Sequence, residues 1–137
     1  MAHDALTPAQ ALATMPFSGL MGVEFTTVTA PEVRATLAWA PERCTIGGLM
    51  HGGALMALAD ATGAVTVFLN LPEGATGTTT VSSATNFLRG VRDGHVEAIS
   101  RPLHAGRTTI VVETDVLDAA GKRVAKVTQT QAVLRAT

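Results

Sequence analysis

The chain has 137 residues, 47% of them hydrophobic and 15% charged, with a formal net charge of −1. That length suits one domain with a real core and is small for two, and the near-zero charge excludes an overall pull toward nucleic acid or an anionic membrane. So few charges would struggle to cover the surface of a lone protomer, which predicts apolar area buried between subunits.

The opening MAHDALTPAQ lacks a basic stretch followed by an apolar one, so it does not read as a secretory signal, and the cytoplasm is the default compartment. Thr7, Pro8 and Gln10 have the spacing of an N-cap, a first-turn proline and a capping-box partner. They predict a short helix over 8–14 that Pro16 stops, with residues 1–15 as a peripheral lead-in to a single domain spanning 1–137. Residues 23–29 and 33–39 are β-branched and partly alternating, with Ala30, Pro31 and Glu32 between them, and read as an antiparallel pair. A turn-rich segment, APERCTIGGLM, follows. It holds the only cysteine, Cys44, which rules out an internal disulfide and fits a reducing compartment.

Residues 54–69 read as one apolar helix, shorter than the roughly 20 residues needed to cross a bilayer and interrupted by Asp60, hence a buried helix and no membrane partner. Four strands complete the chain, over 78–88, 95–103, 108–117 and 123–134. In TIVVETDVLD and VAKVTQTQAV polar and apolar residues partly alternate, as in strands with one wet and one dry face. Two strands, a long helix and four strands make an α+β pattern in which one antiparallel sheet wraps one central helix.

Between Arg43 and Glu73, Asp60 is the only residue among Asp, Glu, Lys and Arg, so no sequence neighbour pairs with it. A buried carboxylate without a partner is expensive or takes up a proton. One reading places Asp60 at the edge of an apolar cavity as general base or nucleophile; the other places it on a wet stripe of the helix or against a neighbouring backbone. Gly52 and Gly53 follow His51 where the helix should start, and free N–H groups there favour a negative oxygen, although a tight entry turn would use the same glycines. Gly52 and Asp60 are eight residues apart, about 12 Å of helical rise. Groups acting on one carbonyl should lie within roughly 6 to 7 Å. If both act on one substrate, they come from different subunits related by a two-fold axis.

GLMHGGALMALADATG (48–63), NFLRG (86–90) and HAGRT (104–108) resemble the PaaI-like acyl-CoA thioesterases of the hot dog fold, over about residues 16–135. The resemblance implies a sheet wrapped around the long helix, a dimer with a continuous sheet, usually assembled into a homotetramer, and hydrolysis of acyl-CoA without metal or cofactor. Asp60 matches the acid that activates water or attacks the thioester, Gly52 the N–H that polarises the carbonyl from the other subunit, and His51 the motif histidine that shapes the turn. Gly53 goes with substrate binding. Thr45 stands where many members carry an asparagine that positions carbonyl or water, and the family's small hydroxyl residue falls near Thr80. The resemblance implies that residues around Arg89, Arg92, Arg101 and Arg107 contact the nucleotide and phosphates of coenzyme A; Arg89 and Arg107 read as the phosphate pair, the other reading being ordinary solvated arginines at strand ends. Competing readings are a hot dog acyl-thioester hydratase or dehydratase, which would need His51 facing an acid, a non-catalytic acyl-CoA-binding domain, and a Cys44 nucleophile.

Overall fold

The computed structural model describes residues 5–137, so the first four residues of the lead-in lie outside the described part. Helix α1, Pro8–Ala13, begins with a complete capping box: Thr7 Oγ accepts from the Gln10 N–H at 3.1 Å, and Gln10 Oε1 accepts from the Thr7 N–H at 2.9 Å. Far from being peripheral, this segment has Ala11 fully buried and Leu6, Leu12 and Met15 packed against the core. Pro16 does not simply end it. Proline lacks the N–H that a first turn leaves unpaired anyway, and Pro16 opens a second helix, α2 (Pro16–Met21), which ends at Gly22 in the left-handed region with φ of 90°. A Cβ at Gly22 would collide with the Arg43 guanidinium, whose Nε–H donates to the Met21 carbonyl.

Six strands follow: β1 (Glu24–Val28), β2 (Val33–Ala38), β3 (Ala75–Phe87), β4 (His95–Ala105), β5 (Thr109–Asp118) and β6 (Arg123–Arg135). All neighbours pair antiparallel, in the order β1-β2-β4-β5-β6-β3. Helix α3, Gly52–Leu69, lies against this sheet. Period-two alternation delivers Val33, Ala35 and Leu37 from β2 and Ile110, Val112 and Val116 from β5 to the helix side, where all are buried. Val33, Ala35, Leu37 and Val116 cluster with Leu55, Leu58, Ala59 and Val65 of α3, and Ile110 and Val112 with Val67 and Leu71. Leu58 is fully enclosed, and its truncation to alanine would cost about 2–5 kcal/mol in lost transfer energy and cavity formation. Thr62 and Thr66 are buried too, but their hydroxyls donate back to the Leu58 and Thr62 carbonyls at 2.7 and 3.0 Å. Although α3 is long and apolar enough to cross a membrane, it is the core helix of the fold. One sheet around one helix is the hot dog architecture that the resemblance implies.

Candidate active site

The chain reaches α3 through a turn held at both ends. The Thr45 N–H donates to the Leu49 carbonyl at 2.8 Å, and the His51 N–H to the Arg43 carbonyl at 2.8 Å. His51 is the N-cap of α3: its Nδ1 accepts from the Gly53 N–H at 2.8 Å, and its carbonyl takes the Ala54 and Leu55 N–H groups. An accepting Nδ1 carries no proton, so the neutral ring holds its hydrogen on Nε2. The Gly52 N–H has no acceptor among the described residues and lies at the positive end of an 18-residue helix. Both glycines have steric reasons. A Cβ at Gly53 would sit 2.9 Å from His51 Nδ1, and one at Gly52 would sit 3.1 Å from the Phe87 ring.

Along α3 the sheet covers most of the circumference and leaves one strip, containing Gly53, Met56, Ala57, Asp60, Ala64 and Phe68, at least partly open. Asp60 is the only charged group on it and is exposed in the protomer. It is not free, however: the Gln129 Nε2–H donates to Asp60 Oδ1 at 2.6 Å from a side chain that is only 2% exposed. Gln129 in turn accepts from Gln131 Nε2 at 2.7 Å, and the Thr78 hydroxyl lies 2.8 Å from Gln131 Oε1. The sequence reading missed these glutamines, since the polar run TQTQ in β6 reads as wet-face sequence. The signal was in the phase: Val127 and Val133 lie an even number of residues from 129 and 131, which places all four side chains on one face of the strand.

Among the described residues, hollows open at both ends of the helix. One of about 410 Å³ gathers Thr45, Met50, Gly52, Leu55, Phe87 and Arg89, so three residues singled out from sequence meet there. Thr45 is exposed, and its hydroxyl makes no hydrogen bond among the described residues. A second, of about 430 Å³, opens beside His51 and Gly53 and is lined by Phe17, Leu20, Met21 and Cys44. The Cys44 Sγ lies 3.2 Å from the Ala40 carbonyl, so the thiol is engaged with backbone. A third, of about 260 Å³, is almost wholly apolar, with Leu6, Met15, Ala64, Val65, Phe68 and Thr78 on its walls. Asp60 lines none of these hollows; its neighbour one turn on, Ala64, lines the third. Thr80 pairs with Gln131 in the β3–β6 register, which sets its exposed side chain on the helix face beside the glutamines.

Arg89 and Arg107 are not a pair within one protomer. Arg89 follows the end of β3, whereas the Arg107 carbonyl accepts from Arg135, which pairs with Ala75 at the start of that strand. Thirteen strand residues separate the two ends, on the order of 40 Å. Arg101 is ion-paired to Glu32 at 2.6 Å, and Arg92 donates to the Gly47 carbonyl.

The long helix of this hot dog fold thus carries an exposed carboxylate with a buried donor behind it and, at its N-terminus, an N–H without an acceptor among the described residues. The chain belongs to the thioesterase superfamily, whose model matches residues 47–125, and within it the chain is PaaI-like. It is 28% identical over 116 residues to the 1,4-dihydroxy-2-naphthoyl-CoA hydrolase of Escherichia coli, covering 85% of each chain. A solved structure of a mutant of thioesterase PA1618 from Pseudomonas aeruginosa superposes with a TM-score of 0.90 at 27% identity, covering 97% of both chains. A mutant of the phenylacetic acid degradation protein PaaI from Thermus thermophilus gives 0.79 at 26% identity, covering 87% of this chain and 99% of that one.

Proposed function

We propose that the protein hydrolyses an acyl-CoA thioester to the free acid and coenzyme A, in an active site shared by two subunits. The observation that carries this reading is the placement, on one helix, of an unpaired Gly52 N–H and an exposed, amide-held Asp60, about 12 Å apart. A two-fold axis that runs two α3 helices antiparallel brings Gly52 of the partner subunit toward Asp60, and the reverse. The same axis, pairing two β3 edges antiparallel, brings Arg89 of one subunit to the end of the sheet where Arg107 of the partner subunit lies. Both separations of the single protomer are then resolved by one operation.

In this reading Asp60 takes the proton of a water that attacks the thioester carbonyl, and the Gly52 N–H, aided by the helix dipole, holds the oxyanion as it forms. Collapse of the tetrahedral intermediate breaks the C–S bond and expels the coenzyme A thiolate. Attack by the carboxylate itself, followed by hydrolysis of the resulting anhydride, uses the same group in the same position. The Thr45 hydroxyl orients the carbonyl or the water, Thr80 and Gly53 border the site, and His51 holds the turn. Arg89 and Arg107 receive phosphates of coenzyme A, and the apolar hollow beside Ala64 and Phe68 receives the acyl group. The carboxylate and the N–H between them supply base and oxyanion donor, so the scheme calls on no metal or cofactor. The name of the Escherichia coli relative, a hydrolase of an aryl-CoA thioester, supports this substrate class.

The test is hydrolysis of acetyl-, hexanoyl-, palmitoyl- and benzoyl-CoA, followed by release of free thiol, with Asp60→Asn beside the wild type. Wild-type turnover that falls by about 100-fold or more in Asp60→Asn, with the oligomeric state unchanged, is expected for a lost general base or nucleophile. Equal rates in the two proteins, or no turnover of any of the four, would refute the assignment.

A further inference from the structure

We infer that Gln129 is a positioning residue for Asp60, and that Gln131 and Thr78 fix Gln129 through a buried hydrogen-bond relay that runs from the edge strand to the site carboxylate. The inference rests on Asp60 being the catalytic acid. Gln129 and Gln131 are 2% and 1% exposed and are among the largest fully buried side chains of the described residues, in a core built mainly of Val, Leu, Ile and Ala. Buried amides are tolerated only when their donors and acceptors are matched, and leucine would fill such positions at lower cost.

The matching here has one direction. Ionised Asp60 only accepts, so Gln129 must turn its NH₂ toward Oδ1, at 2.6 Å. That turns Gln129 Oε1 toward Gln131 Nε2, at 2.7 Å, and leaves Gln131 Oε1 to accept from the Thr78 hydroxyl, at 2.8 Å, whose one proton it shares with the Ala132 carbonyl at 3.0 Å. A group that only accepts sits at one end and a hydroxyl that can donate sits at the other. A flip of Gln129 would set oxygen against Asp60 Oδ1 and nitrogen against Gln131 Nε2, and a flip of Gln131 would set its oxygen against Gln129 Oε1, so the relay has one low-energy arrangement.

A second feature points the same way. Gly63 lies in the middle of α3, three residues beyond Asp60 and on the same side of the helix, where glycine is about 1 kcal/mol worse than alanine. A Cβ at Gly63 would come 2.8 Å from Gln129 Oε1 and 3.2 Å from Val112 Cγ2. The missing side chain is the space the amide occupies. Helix and strand are therefore both shaped around the group that holds Asp60. Without it, an exposed aspartate would sample several rotamers in water. With Oδ1 held, Oδ2 is presented in one direction to the water or the thioester.

The experiment measures kcat and KM, on whichever of acetyl-, hexanoyl-, palmitoyl- and benzoyl-CoA the wild type turns over fastest, for Gln129→Met, Gln129→Glu, Gln131→Met, Thr78→Val, Gly63→Ala and Asp60→Asn. Methionine keeps the volume without the donor, and ionised glutamate keeps the shape without the donor. Gln129→Met and Gln129→Glu are expected to lower kcat about 10- to 100-fold, as for a misplaced catalytic group. KM should stay within about 3-fold; the methionine variant leaves the buried Gln131 amide without its acceptor and should melt somewhat lower, so kcat is compared well below both transitions. The loss of kcat should shrink along the relay, from Gln129→Met through Gln131→Met to Thr78→Val. A packing role would instead leave kcat of Gln129→Met intact or move it in step with stability. Should Gln129→Met fail to fold, Gly63→Ala displaces the amide while keeping every polar group, and must itself lower kcat. A folded Gln129→Met with kcat within twofold of wild type, while Asp60→Asn is inactive, overturns the relay alone. If Asp60→Asn retains its kcat, or no thioester is turned over, the catalytic reading falls and the relay with it.

Discussion

The two edges of the sheet differ in length, charge and cover. The β1 edge is short, with 5 residues and a bulge between Phe25 and Thr27, and α1 packs beside it. Next to it Glu32, Arg34, Glu97 and Arg101 form a charged network. The β3 edge is 13 residues long, contains no charged residue and is exposed over most of its length, with Val81 at 66% exposure. Charged, bulged and covered edges resist pairing with another chain, while a long uncharged edge invites it. Phe87 and Leu88, at and just beyond the end of β3, and Met56 on the open strip of α3, are also exposed. One edge is closed and the other is open, the edge across which the proposed dimer pairs, and Asp60, the glutamines, Thr80 and Arg89 all lie on or near the open side.

Breaking the open edge should have the largest effect. Val81→Lys would set like charges into the proposed subunit contact, and a shift to monomer in analytical ultracentrifugation with loss of thioester hydrolysis is expected. A folded monomer with full activity would contradict the shared site. Gly52→Ala pushes a Cβ to within 3.1 Å of the Phe87 ring. The donor N–H should move with it, lowering kcat by about 10- to 100-fold while the fold survives, measured by steady-state kinetics. Gly53→Ala presses on His51 Nδ1 and disrupts the N-cap. Thermal denaturation should register about 1 kcal/mol of lost stability.

The smallest effect belongs to the closed edge. The Arg34 hydrogen bond holds the Glu32 carboxyl below its ordinary range against an opposing desolvation, and Arg101 lowers it further. Because its folded value lies below its unfolded one, Glu32 stabilises the fold above the unfolded value, and that contribution fades as pH falls through the folded one. Glu32→Gln should therefore cost under about 1 kcal/mol at neutral pH. Urea titrations should show the gap between variant and wild type closing as pH falls below about 4.

What the sequence made legible was whatever rests on periodicity and local caps. The capping box at Thr7, the long apolar helix, the alternation of β5 and the HGG turn all carry their cause within a few residues. Pro16 was misread because a proline marks a helix boundary without saying whether a helix ends or begins there. The glutamines were missed because four polar residues in a row hide the phase of a strand, and only register against β3 and α3 shows which two turn inward. Arg89 and Arg107 do not meet within one protomer for a different reason: proximity in sequence says nothing of the ~40 Å that a strand interposes. Asp60 could be singled out by its isolation among apolar residues, but its partner, Gln129, lies 69 residues away and only the fold joins them.

The most direct test of a site shared across the two-fold axis is complementation between two damaged chains. Asp60→Asn and Gly52→Ala, each impaired alone, would be co-expressed with different affinity tags, and the mixed oligomer purified by both. Shared sites predict that one of the two sites in each mixed dimer is intact, restoring about half of the wild-type kcat per dimer. A mixed dimer no more active than the mean of its parents would place Asp60 and Gly52 of the same chain in each site and contradict the account.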